Sequence, residues 1–174
     1  MSQHPVIPSH RRRTRVAGIR SALVAALALV GAAGLTGCTP IVNMQAGPEA
    51  IDTSCAELSV RLPDEVAEQP QRETDAQGTA AWGDPASVLL RCGVPPLGPT
   101  TDRCVSVDGI DWVIDESDAP RFLFTTYGRT PAVQVLVDND VVSGTTAISD
   151  LSQAVSVIPS DGACTSLDDV PSTD

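Results

Sequence analysis

Residues 105–114 (VSVDGIDWVI) decide the fold of this chain. Asp108-Gly109 at their centre is typical of a two-residue type I′ hairpin turn, because both positions need a positive φ. A turn there fixes the register of the two flanking strands. It pairs apolar residues across them: Val107 with Ile110, and Val105 with Trp112. The stretch therefore predicts an antiparallel hairpin with one apolar face, and it predicts that Trp112 is a core residue.

Three further apolar segments predict strands that extend this hairpin into a sheet. They are residues 86–92 (ASVLLRC), 121–127 (RFLFTTY) and 132–138 (AVQVLVD). The last segment alternates valines with polar residues, which is typical of a strand with one face in the core. Residues 63–81 have prolines, glutamines and acids without an apolar period, and this predicts a loop.

Two helices are predicted on either side of the strands. The first begins at Ser54, which has capping-box spacing to Glu57. The second begins near Thr146, and Pro159 ends it. Apolar residues recur along one face of each helix: Cys55, Leu58 and Leu62 in the first, and Ile148, Leu151, Val155 and Ile158 in the second. The fold class predicted is α+β: a small, mainly antiparallel sheet with an N-terminal and a C-terminal helix over one face.

The N-terminus has the three parts of a secretory signal. Five arginines without an acid precede the uncharged run 21–35 (SALVAALALVGAAGL). This run is shorter than the roughly 20 residues that a membrane-spanning helix needs. Leu35-Thr36-Gly37-Cys38 then matches the bacterial lipobox, which predicts cleavage before Cys38 and attachment of a diacylglyceryl group, with fatty acyl chains such as palmitate, to its thiol. The alternative is an uncleaved anchor with a free Cys38.

These features divide the chain into four parts. Residues 1–37 are the predicted lipoprotein signal peptide, and residues 38–50 the lipidated N-terminus and a tether. Residues 51–160 form a single α+β domain, which is long enough for one core. Residues 161–174 form an acidic mobile tail.

Composition excludes several classes of function. After cleavage the chain keeps six arginines against 22 acids, a formal charge of −16, so a nucleic-acid partner is excluded by repulsion from phosphate. His4 and His10 are the only histidines and leave with the signal, and there is no lysine. This removes Ser-His-Asp catalysis, histidine metal sites and lysine Schiff bases. We expect no catalytic residues, no metal site and no cofactor.

The mature chain keeps four cysteines besides Cys38, and an even number outside the cytoplasm predicts two disulfides. They are Cys55, Cys92, Cys104 and Cys164, and no pair has CxxC spacing. The residues alone leave all three connectivities open.

Few side chains remain as candidates for a site. The acids between Asp108 and Asp118 could supply a glycosidase-like pair, and Asp138-Asn139-Asp140 could hold Ca²⁺, but solvated turns explain both groups. Trp82, at a junction between loop and strand, is the candidate for a ligand contact.

Three blocks of sequence resemble an actinobacterial family of exported proteins catalogued as a domain of unknown function. The blocks are residues 81–95 (AWGDPASVLLRCGVP), 107–112 (VDGIDW) and 124–129 (FTTYGR). The resemblance implies an exported, membrane-attached domain, without an activity to transfer, and some members keep an uncleaved anchor. It also implies a Cys55–Cys92 bridge, which leaves Cys104 for Cys164. Cys104 points away from the apolar face, so Cys164 must reach around the sheet or meet an open edge.

The leading hypothesis is a non-enzymatic binding or accessory domain, lipid-anchored on the extracytoplasmic side of the cell membrane. Its expected partners are the membrane, through the lipid, and another envelope protein. A ligand-binding module for a wall glycan, peptide or cation is the alternative, and a carboxylate-dependent wall hydrolase is a third hypothesis.

Overall fold

An eight-stranded antiparallel sheet with two helices forms the part of the chain that the computed structural model describes, residues 40–164. The helices are α1 (Thr53–Ser59) and α2 (Gly144–Val155). The strands are β1 (Glu65–Val66), β2 (Gln69–Arg72), β3 (Thr79–Trp82), β4 (Val88–Val94), β5 (Cys104–Val107), β6 (Ile110–Asp118), β7 (Arg121–Thr126) and β8 (Ala132–Asp138). The predicted α+β class with a mainly antiparallel sheet is confirmed.

The strand order is β1-β2-β3-β4-β8-β7-β6-β5, so two antiparallel meanders meet where β4 pairs with β8. The hairpin of β5 and β6 has the predicted register, with Val105 opposite Trp112 and Val107 opposite Ile110. Asp108 and Gly109 have φ values of 50° and 78°, as a type I′ turn requires. The hairpin is therefore confirmed in both its turn and its pairing.

The core lies between one face of the sheet and the helices. Val88 and Leu90 of β4 alternate with residues of the other face, and they are fully buried with Ile148 and Leu151 of α2. The helices begin slightly earlier than predicted: Ser143 caps α2, and Asp52 caps α1 by accepting a hydrogen bond from the Ser54 backbone N–H at 2.8 Å. They also end earlier, α1 at Ser59 before Leu62, and α2 at Val155 before Ile158. Asp52 takes the position that was expected for Ser54, since an aspartate caps a helix equally well.

Residues 63–81, predicted as a loop, contain β1, β2 and most of β3. The prediction was wrong because these strands leave no apolar period in the sequence. β1 has only two residues, and the prolyl and glutaminyl residues of β2 are half-buried or exposed. Pairing with β3, rather than burial of its own side chains, holds β2 in the sheet.

The segment expected to be a tether is attached to the sheet from Val42 to Ala50. Val42 forms a parallel bridge with Thr74, and the Glu49 N–H donates to the Gly93 carbonyl at 2.8 Å. Ala50 is buried, with 5% of its surface exposed. The correction has a simple cause: backbone hydrogen bonds, which composition does not reveal, hold this segment.

Both disulfides follow the pairing that the resemblance implied. Cys55 of α1 is joined to Cys92 of β4, with 5.6 Å between the Cα atoms, and Cys104 of β5 to Cys164, with 5.9 Å. Because Cys92 alternates with Leu89 and Arg91 on β4, the first bridge holds α1 on the same face of the sheet as the core.

The second bridge is possible because β5 is the outer strand of the sheet, so the chain can pass around it. Beyond α2, the Asp161 N–H donates to the Gly128 carbonyl at 2.7 Å, and the Cys164 N–H donates to the Asp111 carboxylate at 2.7 Å. Residues 161–164 are thus held on the domain, contrary to the predicted tail. The remaining ten residues of that tail lie outside the described residues.

The predicted signal peptide and Cys38 also lie outside the described residues. Within residues 40–164 no helix is long and apolar enough to cross a membrane.

Candidate functional site

The face of the sheet opposite the helices, called here the helix-free face, exposes a row of leucines. Leu89 of β4 pairs with Leu136 of β8, and Leu136 pairs in turn with Leu123 of β7. Paired residues on neighbouring strands lie side by side, so the three side chains form a continuous apolar strip across three strands. All three are half-buried, although their neighbours along each strand are directed into the core.

A polar row lies beside the leucines. Arg91 of β4 donates from Nη2 to Oε1 of Gln134 at 2.6 Å, and Gln134 donates from Nε2 to Oγ1 of Thr125 at 3.4 Å. Arg91 forms no ion pair within residues 40–164, whereas Arg72 and Arg103 each have an acidic partner there at 2.9 and 2.8 Å. A guanidinium has five N–H donors, and only one of those of Arg91 is used here. Arg91 can therefore still bind an anion.

Residues 43–45 form one wall above these two rows and enclose a cavity of about 360 Å³. This wall is fixed, because the Met44 N–H donates to the Asp75 carboxylate at 2.7 Å. The volume lies within the range of small-molecule sites, about 300–1,000 Å³. We call this cavity the leucine groove; its lining side chains on the sheet are Leu89, Leu123, Leu136, Arg91 and Gln134.

Both ends of the described chain lie at the helix-free face. Arg72 pairs with Ala81, on the side opposite to buried Trp82, and donates from Nη2 to the Pro40 carbonyl at 2.8 Å. At the other end, Cys164 contacts Asp111, which alternates on β6 with the core residues of the hairpin. The leucine groove thus lies on the face where the chain enters and leaves the domain.

A second cavity, of about 510 Å³, lies at the start of α2. Phe122 and Phe124 supply its apolar surface, and Arg103 and Glu116 form an ion pair of 2.8 Å at its rim. Asn139, also at the rim, accepts a hydrogen bond from the Gly144 N–H at 2.9 Å. Aromatic surface beside polar groups suits a sugar or a peptide.

The acidic loops use their carboxylates to form turns. Asp115 accepts a hydrogen bond from the Ser117 N–H at 2.9 Å, and Asp138 accepts one from the Asp140 N–H at 3.1 Å. Hydrogen bonds from the Ser117 side chain and backbone hold the pKa of Asp115 below its ordinary value, which suits an ionised turn residue better than a general acid. Residues 40–164 contain no group of three or more His, Cys, Asp or Glu side chains placed to hold a metal ion.

The two tryptophans are both core residues. Trp112 is fully buried, as predicted. Trp82, the candidate ligand contact, is fully buried as well, and its Nε1 donates to the Pro63 carbonyl at 3.1 Å. The expected contact was wrong because Trp82 is the last residue of β3 and its side chain shares the core face with Val88, its partner on β4.

Two arginines that the sequence does not single out, Arg91 and Arg129, occupy important positions in the structure. Arg91 lies within residues 86–92, which are predicted as a strand, and the alternation of Val88, Leu90 and Cys92 places it on the face opposite the core. Arg129 has 6% of its surface exposed and donates from Nη1 to the Ile158 carbonyl. Burial lowers the pKa of Arg129, and the charge of Asp111 partly offsets this effect. Arg129 connects the end of α2 to the sheet. Its only signal in the sequence is a single arginine after Gly128, and this signal is too common to identify such a residue.

The fold and the helix-free face define a small α+β domain, braced by two disulfides and with a groove between its two chain ends. Residues 19–162 match the family described as "Protein of unknown function (DUF3515)", and the chain belongs to that family. The resemblance to a family of unknown function is thereby confirmed. No curated protein and no solved structure matches the chain.

Proposed function

We propose that the protein is a lipoprotein of the cell envelope, attached through Cys38 to the outer face of the cytoplasmic membrane, where it acts as a non-enzymatic binding or accessory domain. The observation that carries this proposal is the lipobox at residues 35–38, which comes just before Pro40 in the chain. Pro40 and residues 43–45 lie against the helix-free face, beside the leucine groove. A lipid on Cys38 would therefore turn this face toward the bilayer.

The short distance along the chain keeps this face close to the lipid. An extended chain spans at most about 3.6 Å per residue, so Pro40 stays within roughly 7 Å of the lipidated residue and Asn43 within roughly 18 Å. The helices, on the opposite face, are directed away from the membrane. We infer that the binding surface is the helix-free face, because it is the surface that a membrane component can reach.

The chemistry available to the mature chain supports a binding role. Without His or Lys, and with four cysteines in disulfides, the usual bases and nucleophiles are reduced to carboxylates. Glu116, at the larger cavity, is engaged by Arg103. The family match begins at residue 19, so it includes the apolar run of the proposed export signal.

The anchor is tested by labelling cells that express the full chain with an alkyne analogue of palmitate. We expect the wild type to be labelled and found in the membrane fraction, and Cys38→Ala to lose the label. Thr39→Ala, one residue away, is the matched control and should keep it. A label that persists in Cys38→Ala would contradict the proposal, and an unlabelled protein of full-length mass in the membrane would identify an uncleaved anchor instead.

A ligand-binding module for a wall glycan, a peptide or a cation is the second candidate, and the larger cavity favours it. Half-buried Phe122 offers a surface on which a sugar ring or an apolar side chain can pack, and Asn139 offers a polar partner. Titration with soluble wall glycans and peptides should then raise the melting temperature of the wild type more than that of Phe122→Ala. An unchanged melting temperature with every ligand would count against this candidate.

A further inference from the structure

The leucine groove combines an apolar strip with the positive charge of Arg91. Three leucine side chains on adjacent strands leave part of their apolar surface exposed in one strip. The wall formed by residues 43–45 makes this strip concave, so that a narrow apolar group gains contacts on two sides. Such a shape suits a single flexible hydrocarbon chain.

Arg91 adds a positive charge at the side of this strip. Its contact with Gln134 is to a neutral amide, so the guanidinium charge is not balanced by a carboxylate within residues 40–164. The Gln134 side chain, itself held by Thr125, orients the guanidinium. Phosphate is the anion that the planar fork of an arginine binds well, since two parallel N–H donors can contact two of its oxygens.

The overall charge of the mature chain disfavours nonspecific adsorption to a membrane and favours binding at one specific site. With a formal charge of −16, the domain as a whole is repelled by an anionic surface. An anionic lipid would therefore be recognised one molecule at a time, at the position where an arginine without a carboxylate partner lies beside an apolar groove.

We propose that the leucine groove binds one acyl chain of an anionic membrane phospholipid, with Arg91 contacting the phosphate. The inference rests on the proposed function, because an anchor at Cys38 is what brings the groove to the bilayer. The position of the groove in the chain supports this proposal. Asn43, in the wall of the groove, is only five residues from Cys38, so a phospholipid can enter the groove without moving far from the membrane.

The test uses the full chain in cells grown with [³²P]phosphate and a photoreactive p-benzoylphenylalanine in place of Leu136. After irradiation, we expect the purified protein to carry ³²P-labelled phospholipid. A diacylglyceryl group on Cys38 contains no phosphorus, so the label reports a second lipid and not the anchor. The same residue in place of Leu123 gives an independent position in the groove, should the Leu136 variant fold poorly.

Two controls make the result specific. Placed at Val60, which is 82% exposed at the end of α1, the photoreactive residue should give little ³²P. Arg91→Gln should reduce the label at position 136 roughly tenfold, as expected when a charge-assisted contact worth about a factor of ten is lost. Arg61→Gln, the same charge change at an exposed site on the helix side, should leave the label unchanged.

Three results would overturn the proposal: no ³²P at either groove position in a membrane-anchored protein, equal labelling at Val60, or a crosslink to a protein instead of a lipid. Labelling with the palmitate analogue separates this failure from failure of the anchor. If Cys38 is labelled and the groove is not, the lipid site is wrong and the anchor stands. If the groove takes up ³²P in an Arg91-dependent manner while Cys38 carries no lipid, the anchor is wrong and the lipid site stands.

Discussion

Replacing Gly93 by alanine tests whether the segment after Cys38 is part of the domain, as the wall of the leucine groove requires. Gly93 in β4 has a φ of +86°, which residues with a Cβ rarely adopt. A Cβ at this position would lie within 2.7 Å of the Ala50 Cα and would overlap the neighbouring backbone. The substitution should therefore push residues 47–50 away from the sheet.

The expected loss of stability has two parts. A side chain at a positive φ costs about 1–2 kcal/mol. Separating the two segments also removes the hydrogen bond from the Glu49 N–H to the Gly93 carbonyl, worth about 1 kcal/mol. The sum is about 2–3 kcal/mol. At roughly 2.1 cal/mol/K of unfolding entropy per residue, for the described residues 40–164, it corresponds to a fall in Tm of about 8–11 °C.

Thermal unfolding can be followed through tryptophan fluorescence, since Trp82 and Trp112 are both fully buried and become exposed on unfolding. Gly98→Ala is the reference, because a Cβ there meets nothing within 4 Å and the φ is ordinary. Gly109→Ala, with φ of +78° and open space, should show the cost of strain alone. If Gly93→Ala melts at the same temperature as Gly98→Ala, residues 47–50 are not packed on β4.

Three other predictions concern the rest of the domain. Removing the second disulfide by Cys104→Ser together with Cys164→Ser should lower the free energy of unfolding in urea by about 4 kcal/mol, because the bridge closes a loop of 60 residues. An unchanged urea midpoint would refute the bridge between β5 and the segment after α2. Leu151→Ala should destabilise the domain by about 2–5 kcal/mol in the same assay, since the side chain is fully buried in α2, and a loss below 1 kcal/mol would mean that α2 is not seated on the sheet. Asp115 should titrate below 3.8 in carboxyl NMR spectra, so its contribution to stability is present above that pH and is lost as the pH falls through the folded-state pKa; Ser117→Ala should move its pKa back toward 3.8.

The sequence predicts the elements whose local signals agree with one another. In the hairpin, the turn dipeptide and the alternation of apolar residues independently require the same register, and the structure has it. The apolar spacing also predicts the second helix, although it ends at Val155 and not at Pro159. Both signals are local, so a single sequence is enough to read them.

The parts that the sequence does not predict depend on partners distant along the chain. β2 is a strand because β3 lies beside it. Residues 42–50 are held because Glu73 and Gly93 accept backbone hydrogen bonds from Val42 and Glu49, and Asp75 donates one to Val42. The same holds for Trp82: its neighbours in sequence suggest a loop junction, and only the pairing of β3 with β4 directs it into the core.

Once the fold is known, part of the sequence pattern that produces the leucine groove can be recognised. A segment such as 86–92, with apolar residues on both sides of the alternation, is typical of a central strand covered on both faces. Here one of those faces is covered by the helices, and the other only in part by the chain ends. An apolar strand whose second face has too little chain to cover it is the signal in the sequence for the exposed apolar strip that we propose as a binding surface.

The two margins of the sheet bear on how densely such molecules can be arranged side by side. The outer strand β1 has only two residues, and the outer strand β5 has four, the first of which is tied to Cys164. Neither offers a long row of unpaired backbone groups to a neighbouring copy, which is how sheets otherwise fuse into aggregates. Many copies confined to one plane could thus be crowded together and remain separate, each keeping its groove.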